Sequence, residues 1–277
     1  MSLRCPAVSF VAVAALALQL PVSGQQTASA PARRTLGQIC KQLARDYGLR
    51  VTWKARDIPK CTWKIRYQPA KPTELRTLRE YMELFDHEFR KYPKAFVKAS
   101  KLRGLAFVGG LSIAGQTRSA LPDYVQENLY YDFRIGARRA DAYAQHVIHH
   151  EYFHMLEEEW NGSAYFKDPE WAKLNPKKFH YGAGGAAARN PSVTTLRRPR
   201  PGFVNGYAMS GLEEDKAEVW ALLFVPREWR LLAKWRLGDK ILANKVLFLE
   251  RFALAKCKHM NERYWTQVRR VRRKPPK

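Results

Sequence analysis

Apolar residues recur at helical spacing from residue 36 onward, after a polar stretch of the chain. Leu36, Ile39, Leu43 and Tyr47 lie three or four residues apart, which predicts a helix that ends at Gly48. We therefore expect the folded part of the protein to begin near residue 35.

Short apolar runs of β type alternate with helical patterns through the rest of the first half. The predicted strands cover residues 50–53, 62–67, 105–108, 111–114 and 128–133, and a helix covers about 73–92. Further helical patterns occupy about 141–160, 211–225, 227–237 and 239–256. Residues 161–206 are rich in Gly, Pro, Asn and basic residues and are predicted to be largely irregular. This order predicts an α+β fold with a small mixed sheet and a helical C-terminal half.

The amino terminus has the pattern of a secretory signal peptide. Met1–Arg4 is positively charged, Val8–Leu20 is apolar apart from two residues, and small residues follow up to Gly24. The apolar run would span roughly 20 Å of a ~30 Å hydrocarbon core, and no longer run follows, which disfavours a transmembrane anchor. The pattern predicts a signal peptide over 1–24, cleaved after Gly24, and a secreted or periplasmic protein.

Composition and charge limit the classes of protein that remain. The 277 residues are 46% hydrophobic and 27% charged, which excludes a disordered chain or a multi-spanning membrane protein. The net charge of +24 predicts adhesion to an anionic partner, such as an envelope or extracellular polymer. No nucleic-acid-binding motif accompanies the basic clusters, so we expect no specific nucleic-acid partner. The oligomeric state does not follow from the sequence.

The cysteines allow one disulfide in an oxidising compartment. Cys5 would leave with the signal peptide, and Cys40 and Cys61 could then close a short loop. Cys257 would be the odd thiol, and other pairings remain open.

An HExxH sequence, His150-Glu-Tyr-Phe-His154, lies within a predicted helix. Four residues on a helix advance ~400°, so both imidazoles project from one face and can bind a single zinc ion. Glu151 lies beside them as a candidate base. His146 is separated from His154 by ~12 Å of helix rise, so one ion with ~2 Å bonds cannot bind both. We expect His146 to be structural or to face substrate, and His149 to point off the metal face.

A zinc site with two histidines needs a third protein ligand and an open position for water. The segment Ser210-Gly-Leu-Glu213 predicts a capping box that begins a helix and uses Glu213 at the cap. Glu214 and Glu218 then share one face of that helix and are the candidate ligands. The alternative is an acidic first turn that only complements the helix dipole.

These residues resemble the gluzincin-type zinc metallopeptidases, most closely the group that contains anthrax lethal factor and the secreted clostridial Pro-Pro endopeptidase. In that pattern a Tyr precedes the third zinc ligand by seven residues and a Glu follows it by four, as Tyr207, Glu214 and Glu218 do here. The resemblance implies that His150, His154 and Glu214 bind Zn²⁺ as the cofactor.

The same resemblance implies roles for the neighbouring residues and a zincin-like fold. Glu151 would be the general base, Tyr207 the transition-state stabiliser, and Glu218 a carboxylate bonded to a ligand histidine. The match covers about residues 126–225 and includes Asn128–Phe133 as the edge strand that aligns the peptide. The implied organisation is a linker over 25–34, one zincin-like metallopeptidase domain over 35–262 and a basic tail over 263–277.

The predicted function is that of a secreted zinc-dependent endopeptidase acting on peptide or protein substrates. Zinc would activate a water molecule, and Glu151 would accept its proton. The long basic segment between the two halves departs from the family pattern, so cleavage between prolines is not implied. Two alternatives remain: a non-enzymatic secreted protein that binds polyanions through its basic clusters, and a catalytically idle zincin scaffold.

Overall fold

The computed structural model describes residues 33–139, 141–185, 187–188 and 191–270. The predicted signal peptide, most of the linker and the last seven residues of the predicted tail lie outside the described residues. From Arg34 onward the chain forms one compact unit. Helix α1 (Leu36–Tyr47) begins at a capping box between Thr35 and Gln38 and ends at Gly48, whose φ of 75° is left-handed. The predicted first helix and its end are confirmed.

A small mixed sheet follows α1, as predicted. Its strands are β1 (Arg50–Thr52), β2 (Ile65–Gln68), β3 (Gly104–Ile113), β4 (Gln116–Thr117), β5 (Ala120–Asp123) and β6 (Asn128–Asp132). The order is β1-β3-β6-β5, in which β1, β3 and β6 are parallel and β5 is antiparallel to β6. Strands β2 and β4 pair antiparallel with the second half of β3.

Two details of the sheet differ from the prediction. The apolar runs 105–108 and 111–114 are one strand, β3, because Gly109 and Gly110 interrupt the apolar pattern without ending the strand. The segment Asn128–Phe133 was expected to be the edge strand, which is wrong: β6 lies between β3 and β5, and Phe133 begins the next helix. The edge is β5, a short strand with Pro122 in it, and proline is tolerated on edges because it cannot donate a ladder hydrogen bond.

Ten helices surround the sheet and form the C-terminal half, so the α+β fold with a helical second half is confirmed. After α1 they are α2 (Leu75–Phe89), α3 (Lys94–Ala99), α4 (Phe133–Arg138), α5 (Asp141–Asn161), α6 (Pro169–Leu174), α7 (Leu212–Phe224), α8 (Pro226–Trp235), α9 (Lys240–Lys256) and α10 (Glu262–Val268), within the described ranges. Helix α6 lies inside the segment predicted to be irregular. Helix α10 occupies the start of the predicted tail, because Trp265 is buried in the core.

The core lies between one face of the sheet and the helices. Its centre is aromatic: Phe85 contacts Phe107 and Tyr131 of the sheet, and Tyr92 contacts Tyr152 of α5 and Phe224 of α7. A second, smaller cluster covers the other face of the sheet. No helix in the described part of the chain has the length and apolar character needed to cross a membrane.

The three described cysteines are free, so the disulfide that the sequence allowed between Cys40 and Cys61 is not formed. The two thiols belong to different parts of the molecule: Cys40 packs against the main core and Cys61 against the smaller cluster.

Candidate metal centre

Helices α5 and α7 pack against each other and carry the predicted ligands. The core-facing residues of α5 are apolar, among them Ile148, Phe153 and Leu156, and their burial fixes the face that carries the histidines. Buried ion pairs hold the first turn of α7: Lys216 contacts Glu157 of α5 at 2.8 Å. The carboxylate donor is therefore set on one buried helix and the imidazole donors on another.

The start of α7 differs from the predicted capping box. The helix begins at Leu212 with Gly211 as its cap, and no side chain caps it. Ser210 is instead the C-cap of the preceding 3₁₀ turn (Tyr207–Met209), and its hydroxyl donates to the Tyr207 carbonyl at 2.7 Å. Because that hydroxyl is already used, the capping-box prediction is wrong, although the helix follows where it was expected.

His150, His154 and Glu214 converge on one point. The two histidine Nε2 atoms are 3.2 Å apart, and Glu214 Oε2 lies 3.1 Å from His150 Nε2 and 3.5 Å from His154 Nε2. Donor atoms at ~2.1 Å from a tetrahedral zinc ion are separated by ~3.4 Å, so the observed spacing is that of three ligands of one ion. All three residues are buried, and their ligand atoms form a group that can hold a metal.

The donor set also fits a cation chemically. Glu214 Oε2 is buried and has no hydrogen-bond partner among the described residues, and a buried carboxylate oxygen in that condition requires a compensating charge. Burial lowers the pKa of His150, whereas the Glu214 and Glu218 carboxylates raise it. On balance the pKa of His150 in the metal-free chain is raised to about 10. A metal ion would take the place of that proton and meet Glu214 Oε2 as well.

Tyr207 stands at the rim of this group. Its hydroxyl donates to Glu214 Oε1 at 2.8 Å, so the two oxygens of Glu214 have separate tasks. Burial, together with the Glu214 carboxylate, raises the pKa of Tyr207 well above its usual range, which keeps the hydroxyl protonated and available as a donor. Gly185 packs against the same pair: a Cβ at this position would overlap both Glu214 Oε1 and the Tyr207 hydroxyl.

Glu218 lies one turn after Glu214 and contacts the far side of a ligand histidine. Its Oε1 is 3.2 Å from His150 Nδ1, and its Oε2 accepts a hydrogen bond from Asn205 Nδ2 at 2.6 Å. A carboxylate in this place fixes the tautomer and orientation of a metal-binding imidazole.

Glu151 and the other histidines of α5 occupy distinct surroundings. Glu151 is half-buried, and no hydrogen bond or ion pair joins its carboxylate to a residue that the structure describes. His149 points away from the group, as expected, and contacts Glu88 Oε2 at 3.1 Å and the Tyr92 hydroxyl at 2.9 Å. His146 contacts Glu218 and does not join the three converging residues.

Sequence reasoning missed three residues that contact this group or the side chains beside it, Glu218 and His146. Asn205 and Gly185 come from the Gly- and Asn-rich segment, where no periodic pattern exists to assign them a place. Glu228 follows Pro226 at the start of α8 and contacts His146. An acidic residue is favoured in the first turn of any helix, so its presence there indicates no special role. None of the three carries a signal that distinguishes it from a residue of a turn or a cap.

Comparisons with known proteins agree with this geometry. A family model described as "Putative zinc-binding metallo-peptidase" matches residues 37–252. A crystal structure of a protein with the same description from Bacteroides caccae superposes with a TM-score of 0.53 and 16% identity, over 83% of this chain and 87% of that one, which shows a shared fold. No curated protein sequence matches the chain. Neither match names the lethal factor group, so that closer grouping stays a prediction. On the extent of the family match and the shared fold, the chain belongs to the zinc-binding metallo-peptidase family.

Proposed function

We propose that the protein is a zinc-dependent endopeptidase in which His150, His154 and Glu214 hold the metal. The observation that carries this proposal is the buried Oε2 of Glu214, which faces two imidazole Nε2 atoms without a hydrogen-bond partner in the described chain. In a core with only a structural role, buried carboxylate oxygens are hydrogen-bonded, so an oxygen without such a partner is unusual there. Membership of a zinc-binding metallo-peptidase family gives the same identity for the ion and a peptide as the substrate class.

Zinc at this site supplies a Lewis acid and lowers the pKa of water toward neutrality. Glu151 lies next to the first ligand on α5 and acts as the general base that accepts the proton from the attacking water. The same carboxyl then returns the proton to the leaving amine. Its freedom from other partners is what this role requires.

Tyr207 acts as a donor to the oxygen of the scissile carbonyl when negative charge develops there. The protonated state of its hydroxyl supports this role, and so does its seven-residue spacing from Glu214, which is the feature shared with the lethal factor group. In the free protein the hydroxyl is held by Glu214 Oε1, so it must turn from that oxygen toward the substrate.

The protein acts outside the cytoplasm, in the secreted or periplasmic space, and the ground for this part of the proposal is the amino-terminal pattern of charged, apolar and small residues. The N-terminal sequence of the mature protein tests it. Cleavage after Gly24 is the expected result.

Metal analysis and peptide hydrolysis test the proposed activity together. We expect one tightly bound zinc per chain, lost in both His150→Ala and Glu214→Ala, because an open site with two remaining side chains holds the ion poorly. Glu151→Gln should keep the metal and the fold but lose nearly all hydrolysis of a peptide library. His149→Gln is the matched control, a histidine of the same helix that points elsewhere.

Three results would contradict parts of the proposal. Stoichiometric zinc in purified Glu214→Ala would assign the third ligand to another residue, with Glu213, Asp215 and Glu218 the first to replace. Hydrolysis at the parental rate by Glu151→Gln would remove that carboxylate from the base role. A wild-type protein that binds zinc and cleaves no peptide would leave the idle zincin scaffold as the better description.

A further inference from the structure

A row of alternating carboxylates and imidazoles leads away from the candidate metal centre. Glu218 Oε1 lies between two histidines, 3.2 Å from His150 Nδ1 and 3.1 Å from His146 Nε2. The other nitrogen of His146, Nδ1, lies 2.7 Å from Glu228 Oε2. The row therefore joins α5, α7 and the first turn of α8, and it ends at Glu228.

The contacts of His146 indicate whether its ring nitrogens form hydrogen bonds or bind a metal ion. Both ring nitrogens of His146 lie within hydrogen-bond distance of a carboxylate oxygen, which is a hydrogen-bond acceptor. With both nitrogens engaged in this way, His146 has no lone pair to offer a metal ion. The cluster of His146, His150 and Glu218 can geometrically hold a metal, but its short contacts are those of hydrogen bonding.

Glu218 depends on this support. Its Oε1 receives a well-formed hydrogen bond from His146, whereas His150 Nδ1 lies within ion-pair distance of the same oxygen but outside good hydrogen-bond geometry. Its Oε2 is held by Asn205. His146 and Asn205 therefore fix the carboxylate from two sides, and the ring of His150 meets a carboxylate already in place.

We propose that His146 and Glu228 are positioning residues of the metal centre, which act on the ligand His150 through Glu218. The inference rests on the proposed function, since it assumes that His150 binds the metal. Glu228 holds His146 at one end, and His146 places Glu218 Oε1 where it orients the ligand imidazole. Neither residue touches the metal or the substrate.

Metal affinity and the spectrum of the Co²⁺-substituted protein test this role directly. Outer partners of metal ligands typically change metal affinity 10- to 100-fold when removed. We expect His146→Gln to weaken zinc binding by roughly that factor in a chelator competition, and Glu228→Gln to weaken it less, because an amide oxygen can still accept from His146. Both should shift the visible absorption of Co²⁺, which reports the orientation of the ligands.

The matched control is His149→Gln, which removes another histidine of α5, one that is buried and contacts the Glu88 carboxylate of α2, away from the metal. It should lower the melting temperature of the metal-free and metal-loaded protein alike and leave the affinity and spectrum unchanged. If His146→Gln does not fold, Glu228→Gln alone decides the matter, because it keeps the shape of the side chain and lies at the end of the row.

The outcomes separate the inference from the proposed function. Wild-type protein that binds no metal at His150 would defeat the proposed function itself. A different result would overturn the inference alone. In that case the wild type binds zinc and Co²⁺, and the variants of His146 and Glu228 match its metal affinity and Co²⁺ spectrum and differ from it only in melting temperature.

Discussion

The two carboxylate oxygens of Glu214 have different partners. A substitution next to one oxygen therefore affects a different contact from a substitution next to the other. Oε1 accepts from Tyr207, and Oε2 faces the two imidazoles. Gly185 closes the space beside Oε1, so its lack of a side chain is a requirement of the site. The irregular segment between the two predicted halves thus contributes directly to the metal centre.

Replacing Gly185 with alanine should weaken metal binding. The added methyl would overlap Glu214 Oε1 and the Tyr207 hydroxyl, so one of them must move. Overpacking of this kind costs about 1–3 kcal/mol, which corresponds to a roughly 5- to 150-fold loss of zinc affinity if the carboxylate moves. A chelator competition measures it.

Gly238→Ala is the control, because a Cβ there has no neighbour within 4 Å. It should leave affinity unchanged. Equal affinity in Gly185→Ala and the wild type would mean that Gly185 does not support the Glu214 carboxylate.

At the residue scale, motif spacing predicted more of the site than local propensity did. The HExxH spacing identified His150 and His154 because helix geometry alone puts both on one face. Glu214 was expected from a family pattern, and the structure brings its carboxylate next to the two histidines. Ser210 was wrongly predicted to be the N-cap of α7. A serine before an acidic turn is compatible with an N-cap and with the end of a 3₁₀ turn, and only the tertiary structure distinguishes the two. Asn205 could not be found from sequence, since its partner Glu218 is reached only through the folded chain.

At the scale of elements, buried charges join the ligand-bearing helix to its neighbours. Lys245 of α9 contacts Asp215 Oδ2 at 2.6 Å and donates to the Gly202 carbonyl at 2.7 Å. Trp171 also donates to Asp215 Oδ2, at 2.9 Å. Asp215 therefore has several donors, and the helix start that carries Glu214 is tied to α6 and α9.

Lys245→Met should strongly destabilise the metal-free protein. It leaves Asp215 buried without its ion-pair partner, and breaking a buried pair costs ~3–5 kcal/mol. The remaining donors, Trp171 and the Tyr181 hydroxyl, should keep the loss near ~3 kcal/mol. Combining it with Asp215→Asn, which removes the orphaned charge, should recover part of the loss in denaturant unfolding.

The exposed Lys240→Met on the same helix should change stability by no more than ~0.5 kcal/mol. A loss in Lys245→Met no larger than that of Lys240→Met would show that this ion pair does not stabilise the helix packing.

The ion pair between Glu74 and Arg134 predicts a pH-dependent contribution to stability. Arg134 Nε and Nη2 donate to the two oxygens of Glu74 at 2.7 and 2.8 Å, joining the start of α2 to α4. The Arg134 hydrogen bonds lower the pKa of Glu74 from 4.5 to about 2. Because the folded-state pKa is the lower one, the stabilisation is complete above pH 4.5 and is lost as pH falls through about 2.

Melting of metal-free Glu74→Gln against the wild type measures this contribution. The pair is partly exposed, so we expect ~1 kcal/mol or ~2–4 °C at neutral pH, and a difference that shrinks toward zero near pH 2. Glu170→Gln changes an exposed carboxylate of α6 and should show a small difference throughout. A difference for Glu74→Gln that stays constant down to pH 2 would rule out the ion pair as its source.

Element types were predictable because the apolar periods of the helices are long and regular. The sheet was less so: β4 and β5 have two and four residues, too few to show alternation, and this is why the edge of the sheet was assigned to β6. Helix α10 was assigned to the tail because basic residues outnumber apolar ones over 263–277 as a whole, although the buried Trp265 anchors the helix.

At the scale of the whole molecule, the excess of basic residues is the most general property of the chain. The Lys and Arg residues number 49 against 25 acidic ones. Many of the acidic residues lie at the metal centre or in buried ion pairs. The basic residues therefore dominate the electrostatic field that an approaching anion experiences. Adhesion to an anionic envelope or extracellular polymer remains our prediction.

Replacing Arg270, Arg272, Arg273 and Lys274 with Gln should reduce this adhesion without reducing catalysis. Arg269 is left unchanged because it pairs with Glu250 at 2.6 Å and lies over the Trp229 ring. We expect elution from a polyanion column at lower salt and a flatter salt dependence, with hydrolysis of a short neutral peptide unchanged, since a Debye length of ~8 Å screens distant charges. A fall in kcat with zinc content and melting temperature intact would mean that these residues reach the active site.

Helix α10 covers one side of the aromatic core with residues that come late in the sequence. The Tyr264 hydroxyl donates to the Lys91 carbonyl at 2.9 Å across 173 positions of sequence, and Trp265 packs edge-on against Phe224. Because a chain is synthesised from its amino terminus, these contacts cannot form before residues 262–268 have been made. A nascent chain that has not yet reached these residues therefore has this side of its aromatic core open.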